Sequence, residues 1–327
     1  TTGHIGINLT LALLQTGHQV KAICRKPEKM KVLGPLDQSK IILVKGDILR
    51  PDDLIQAFQG VDVVIHLAAK ISIDGDRDGE VQATNVIGTR NVVQACLENQ
   101  VKKLIHFSSI HAFAYTRHTT LVDENSPYAG HDAFAYDQSK ALGEKEVLKG
   151  IAEGLKAIIL NPTAVIGPHD YFHSRSGVLL AQLFAGEMPI LINGGFDWVD
   201  VRDVVNATLF VLQNEVPSNR YVLSGHRASF RQLSELCQSA SGIRVSTWVA
   251  PLALAFTGLP FIRLAQIFTQ IPPLYTYESL MIIKNAKPHF SSFLAQKELN
   301  YTPRPLEETI EETYAWLLSN RSSALGE

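Results

Sequence analysis

Short, nearly all-apolar runs rich in β-branched residues recur at residues 19–24, 41–44, 61–67, 103–108 and 157–160, separated by amphipathic stretches. A strand apolar on both sides must be covered on both faces, so the alternation demands parallel strands sandwiched between helices. The fold class it predicts is α/β, a doubly wound parallel sheet. After residue 168 the rhythm loosens, with helices expected near 177–185, 231–241 and 306–319. That part reads as a smaller, mixed C-terminal domain. A strand-like 220–224 and a helix near 204–213 look like a return to the first domain. The expected division is residues 1–168, with 198–225 returning, against a substrate domain of 169–197 and 226–327.

Composition removes several classes of function. Lys and Arg number 30 against 32 Asp and Glu, a formal charge of −2, so there is no bulk attraction to nucleic acid. The longest apolar stretch, residues 248–281, is interrupted by Pro251, Pro260, Arg263, Pro272 and Pro273 and falls short of the ~20 residues of a membrane span. It reads as an apolar lid. Cys24, Cys96 and Cys237 are widely spaced and show no CxxC or metal-ligand rhythm. They are expected to be structural thiols in a reducing compartment, the cytoplasm, with no metal bound.

Thr2-Gly3-His4-Ile5-Gly6 leads straight into a helical pattern at residues 7–15. Gly3, His4, Ile5 and Gly6 have the spacing of the last two glycines of GxxGxxG, a loop that brings backbone N–H groups and a helix N-terminus against a pyrophosphate. The first glycine of that pattern would fall just before Thr1, and the strand that delivers the chain into such a loop is missing. Roughly ten further residues, one strand and its turn, are expected ahead of Thr1. About 20 residues beyond the loop, where an acidic side chain would bond the ribose of NAD, stand Cys24, Arg25 and Lys26. Arginine suits the 2′-phosphate of NADP, so NADP is expected over NAD. Asp47, with Ile48 after it, is placed to meet the adenine, although an aspartate here equally suits a helix cap.

Tyr136 and Lys140 stand four apart on an expected helix, hence on one face. A tyrosine with an ordinary pKa of ~10 exchanges protons at neutral pH only when a cation stabilises its phenolate, and Lys140 can supply that charge. Upstream, His106-Phe107-Ser108-Ser109 closes a strand at the C-terminal edge of the sheet, where such folds place ligands.

These residues carry a resemblance. The glycine loop, Val44-Lys45-Gly46-Asp47, His66-Leu67-Ala68-Ala69, Asn85-Val86-Ile87-Gly88-Thr89, Ser108-Ser109, Tyr136 with Lys140, and Asn161-Pro162-Thr163-Ala164-Val165-Ile166-Gly167-Pro168 occur in one order. In that order the chain resembles the extended short-chain dehydrogenases/reductases, also called the NAD-dependent epimerase/dehydratase family, built on a Rossmann sheet. Within it the likeness is greatest to dihydroflavonol reductase-like, 3β-hydroxysteroid dehydrogenase-like and hopanoid-associated sugar epimerase-like members. The resemblance implies that Tyr136 is the general acid/base, that Lys140 lowers its pKa and holds the nicotinamide ribose, and that Ser109 hydrogen-bonds the reacting oxygen. It further implies that Leu67, Ala68, Ala69, Asn85, Pro162, Thr163 and Val165 border the cofactor.

Three departures narrow the choice. Sugar-nucleotide dehydratases carry Asp-Glu after the catalytic hydroxyl residue, whereas Ile110 and His111 stand here. Phe196 occupies the place of an arginine that grips a diphosphate, and Arg25 follows Cys24 where NAD-retaining epimerases have an acid. The reading is therefore an NADP-dependent reductase of a hydrophobic ketone or aldehyde. The alternatives are a nucleotide-sugar epimerase and a non-catalytic NAD(P)-binding regulator. Residues 251–268, Leu274, Tyr275, Tyr171 and Phe172 would wall a lipophilic carbonyl substrate. His111, His118, His131 and His173 lack metal-ligand spacing and read as loop histidines. A homodimer is expected through the helix after Asn85 and the helix bearing Tyr136, with Val92, Val93, Cys96 and Leu97 partly on that face or buried in the monomer.

Overall fold

Strand Lys103–Phe107 is buried along its whole length, as a strand must be when it has neighbours on both edges and helices on both faces. In the computed structural model, which describes residues 2–33, 39–246, 248–259, 276–286 and 288–324, it pairs in parallel with Val63–His66 on one side and Ala157–Pro162 on the other. Arg220–Leu223 adds in parallel beyond Ala157–Pro162. Strands Val20–Cys24 and Ile41–Lys45 form a parallel pair of their own.

Side chains alternate across these strands and so feed two cores. Leu104 and Ile159 point to one face, where they pack with Val92, Val93, Ala95, Cys96 and Val147 from helices Gly88–Glu98 and Ala135–Ala152. Ile105, Phe107, Ile158 and Leu160 point to the other, against Val204, Ala207 and Val211 of helix Val201–Gln213. Helix His4–Gln15 lies beside the latter through Leu9, Leu13 and Val205. Helices on both faces of parallel strands are the doubly wound arrangement that the apolar runs demand. Val92, Val93 and Cys96 thus pack against this chain's own sheet, with Leu97 on the same cluster, the burial within the monomer that is one of the two readings of these residues. All three cysteines are buried, and burial pushes the Cys96 thiol up to about 12, in keeping with structural thiols.

Helices Gly88–Glu98 and Ala135–Ala152 approach closely because glycines face the contact. A Cβ on Gly143 would meet the Asn85 carbonyl oxygen at 2.5 Å, and one on Gly150 would meet Val93 Cγ1 at 2.5 Å. Asn85 lies in a π-helical turn, Ala83–Ile87, that leads into the first of these helices.

The later residues form a third core in which Trp198, Phe230, Leu180, Leu183, Leu233, Leu280 and Ile310 meet. Strand Gly195–Asp200 is its framework, with His226–Ser229 antiparallel on one edge and Ala164–Ile166 parallel on the other. Helix Phe230–Ser241 starts with a capping box between Ser229 and Gln232. Of the expected apolar lid, residues 260–275, including Leu274 and Tyr275, lie outside the described residues. Among the described residues no helix is long and apolar enough to cross a membrane, and no group of three or more His, Cys, Asp or Glu could hold a metal ion.

Candidate active site

Strand Lys103–Phe107 ends at the edge of the sheet in Ser108 and Ser109, and Ser109 caps the single helical turn Ile110–Ala112. Its Oγ accepts the backbone N–H of His111 at 3.3 Å. Helix Ala135–Ala152 packs across that turn and brings Tyr136 and Lys140 to the same place, so Ser109, Tyr136 and Lys140 converge. The Ser109 hydroxyl acts on the Tyr136 phenol. Lys140 is almost fully buried, and its Nζ donates to the Phe107 carbonyl at 2.9 Å.

The electrostatics depart from expectation in one respect. Burial raises the Tyr136 phenol well above its ordinary range, the Ser109 hydroxyl opposes that rise, and the Asp137 charge adds to it. Lys140 is not among these influences; its own ammonium is brought down to about 8 by burial, with the Glu144 charge pulling the other way. Tyr136 therefore stands as a neutral phenol, the form that can give a proton away.

Sequence reasoning passed over Glu144. It lies one further turn along the Tyr136–Lys140 face and is fully buried. Asn161 Nδ2 donates to its Oε1 at 2.6 Å, the Tyr128 hydroxyl to its Oε2 at 3.1 Å, and Arg220 Nη2 pairs with Oε2 at 3.1 Å. Burial pushes this carboxyl up to about 7, against the Ser108 and Asn161 side chains and the Lys140 charge. A third polar residue at a spacing of four was the available signal. Two histidines of the central strands complete the interior. The rings of His66 and His106 lie 5.1 Å apart, and His66 Nε2 is 3.0 Å from Thr89 Oγ1. Burial chiefly, and the Lys140 charge besides, hold His66 down to about 3 and His106 well below the imidazole range, so both are neutral.

The residues expected around a cofactor differ in their exposure. Helix His4–Gln15 begins at Gly3 with no side-chain cap on its first N–H groups. Gly3 is exposed, and a Cβ there would meet nothing within 4 Å. Open N–H donors at a helix start, with small exposed Ala68 and Ala69 following strand Val63–His66 and half-buried Leu67, fit a dinucleotide. Ile5 is packed on the core and Gly6 is buried. His4 turns its Nε2 to within 2.9 Å of the Pro168 carbonyl, to which Asn8 Nδ2 also donates at 3.0 Å, tying the loop to the turn after Ile166. Arg25 and Lys26 are exposed just past strand Val20–Cys24. Asp47 Oδ1 accepts the Leu49 N–H at 3.0 Å, a local turn bond. Ile48 sits where a Cβ on Gly88 would collide with it. Asn85 acts as a clamp: Oδ1 accepts the Lys70 N–H at 2.8 Å, and Nδ2 donates to the Lys70 carbonyl at 2.9 Å and to Ser139 Oγ at 2.8 Å. Pro162 ends its strand, Thr163 is buried and donates its N–H to the Leu223 carbonyl at 3.1 Å, and Val165 is half-buried opposite Val199.

Residues 1–224 match the sequence profile of the NAD dependent epimerase/dehydratase family. The chain belongs to that family. Its members include dehydrogenases, reductases and epimerases that bind a nicotinamide cofactor. The chain is 29% identical to sterol demethylase protein B of Methylococcus capsulatus over 326 residues, 96% of this chain and 95% of that protein. It is 30% identical over 265 residues to a Synechocystis protein named "Putative dihydroflavonol 4-reductase", covering 78% of this chain and 75% of that one. Among solved structures, gox2253 has a TM-score of 0.82 at 28% identity, covering 98% of this chain and 96% of that one.

Proposed function

We propose that this protein is an NADP-dependent oxidoreductase that reduces a hydrophobic ketone or aldehyde, or oxidises the matching alcohol. The convergence of Ser109, Tyr136 and Lys140, with the phenol neutral and under the influence of the Ser109 hydroxyl, carries the reading. A bound nicotinamide supplies the hydride. Ser109 holds the carbonyl oxygen, Tyr136 gives its phenolic proton to the alkoxide as charge develops there, and the Lys140 cation holds the coenzyme ribose.

For the coenzyme, the N–H groups from Gly3 to Gly6 are suited to the pyrophosphate, and Arg25 with Lys26 to the 2′-phosphate. The adenosine side is then bordered by Asp47 and Ile48, the pyrophosphate side by Leu67 to Ala69 with Asn85 fixing the following residue, and the nicotinamide by Pro162, Thr163 and Val165.

For the substrate, two observations favour a neutral lipophilic compound over a diphosphosugar. Phe196 packs among Trp198 and Phe230, with ring centroids 5.5 Å away in each case, and offers no charge to a phosphate. Beside Tyr136, the Asp74 and Asp137 charges both act on Glu278, and an acidic rim repels anions. The sterol and dihydroflavonol in the relatives' names agree.

The test is NADPH oxidation against lipophilic aldehydes, ketones, steroids and flavonoids, with UDP-sugars alongside. Tyr136→Phe keeps the ring and removes the proton, so turnover on the best substrate should fall by roughly 10²- to 10⁴-fold while NADPH affinity stays near that of the unmodified protein. Full activity in Tyr136→Phe would refute the mechanism, and activity confined to UDP-sugars would favour the epimerase.

A further inference from the structure

His111, a loop histidine by its sequence, has a fixed posture beside the reacting group. Its Nδ1–H donates to Asp137 Oδ1 at 2.9 Å. Its ring stands edge-on to that of Tyr136, with centroids 5.4 Å apart and planes at 61°. Its backbone N–H holds Ser109 Oγ, so one residue touches both groups that would receive the carbonyl oxygen. The imidazole is 21% exposed, and among the described residues its Nε2 has no hydrogen-bond partner. A carboxylate on Nδ1 fixes the tautomer, placing the proton there and leaving a lone pair on Nε2. That nitrogen lies across the ring from Asp137 and is an acceptor in search of a donor.

The surroundings limit what the donor can be. Asp137 itself, with Asp74 and Glu278, makes an anion unwelcome, whereas a neutral hydroxyl satisfies the lone pair without adding charge. We propose that His111 is a specificity-determining residue that accepts a hydrogen bond from a substrate hydroxyl one or two carbons from the reacting carbonyl, so that the preferred substrate is a lipophilic hydroxy ketone. One small ligand then places two oxygens at once, its carbonyl oxygen on Ser109 and Tyr136 and its hydroxyl on Nε2. Asp137 acts as the positioning residue that holds the ring in the accepting tautomer. This inference rests on the reductase reading above.

The experiment compares an aryl ketone bearing an α-hydroxyl with the same ketone lacking it, reading kcat/KM with NADPH in the unmodified protein and in His111→Ala, His111→Gln and Asp137→Asn. One lost hydrogen bond corresponds to about a tenfold fall in the ratio of hydroxy ketone to plain ketone for His111→Ala. His111→Gln retains an acceptor and should recover part of the ratio. Asp137→Asn should lower it through KM for the hydroxy ketone. Melting curves and NADPH titrations identify any variant that has failed to fold. If His111→Ala loses the same factor on both ketones, the ring merely supports Tyr136 and this inference is overturned while the reductase reading stands. No turnover of any ketone by the unmodified protein would overturn both.

Discussion

Replacing Glu144 by Gln isolates the electrostatic cost of the buried acid behind Lys140. In the folded chain this carboxyl ionises at about 7 instead of 4.5, which corresponds to a penalty of roughly 3 kcal/mol for carrying the charge there. Well below pH 4.5 the acid is neutral whether folded or unfolded, and the penalty is absent. As pH rises from 4.5 to 7, the unfolded chain releases the proton and the folded chain keeps it, so stability falls. Above 7 both forms are ionised and the whole penalty applies. Gln cannot ionise, so the stability of Glu144→Gln minus that of the unmodified protein should climb by roughly 3 kcal/mol between about pH 4 and pH 8. Changes in the bonds to Asn161, Tyr128 and Arg220 add an offset that does not vary with pH. Urea unfolding of both proteins across that range at fixed ionic strength measures the difference, in which groups not coupled to Glu144 cancel. A kinetic consequence accompanies it. The Glu144 charge is what supports the Lys140 ammonium against burial, so the variant should lose activity on the alkaline side at a lower pH. A stability difference that stays constant across the range would refute the reasoning.

Arg25→Asp removes the partner of a 2′-phosphate and sets a like charge in its place, so the coenzyme preference should reverse from NADPH to NADH; tighter binding of NAD than NADP by the unmodified protein would remove the premise. Asn85→Ala leaves the Lys70 backbone and Ser139 without the side chain that ties them together, which should cost about 1–3 kcal/mol. It should also weaken NADPH binding by loosening the residues after Ala69. A calorimetric melt and a fluorescence titration read the two effects, and an unchanged coenzyme affinity would show that the clamp serves stability alone.

What the sequence disclosed follows from which interactions are local. The strands of the parallel sheet were legible because a doubly covered strand is apolar on both sides, and only their ends moved: the run at 61–67 pairs from Val63 to His66, leaving Leu67 half-buried beyond it, whereas Ala164–Ile166, Gly195–Asp200 and His226–Ser229 were not foreseen. Tyr136 and Lys140 were legible because a spacing of four on a helix is geometry. Glu144 carries the same spacing, yet an acid four residues beyond a lysine ordinarily reads as a solvated pair. Its burial depends on Tyr128, Asn161 and Arg220, which arrive from separate segments. His111 was hidden for a related reason, since its partner Asp137 lies 26 positions away and looks like a surface charge. Phe196 was read by what it lacks; its aromatic neighbours show what it does.

The glycines between helices Gly88–Glu98 and Ala135–Ala152 have a bearing on how such a protein could be diversified. With Gly143 against a carbonyl and Gly150 against Val93, neither position has space for even a methyl group, and the register of the helix that bears Tyr136 is fixed by contact. Mutational libraries aimed at that seam would spend their members on chains that cannot close. New substrate preference has to be sought where side chains have room. Trp248, 76% exposed, and Leu254, 62% exposed, can change in bulk and polarity without a collision of that kind.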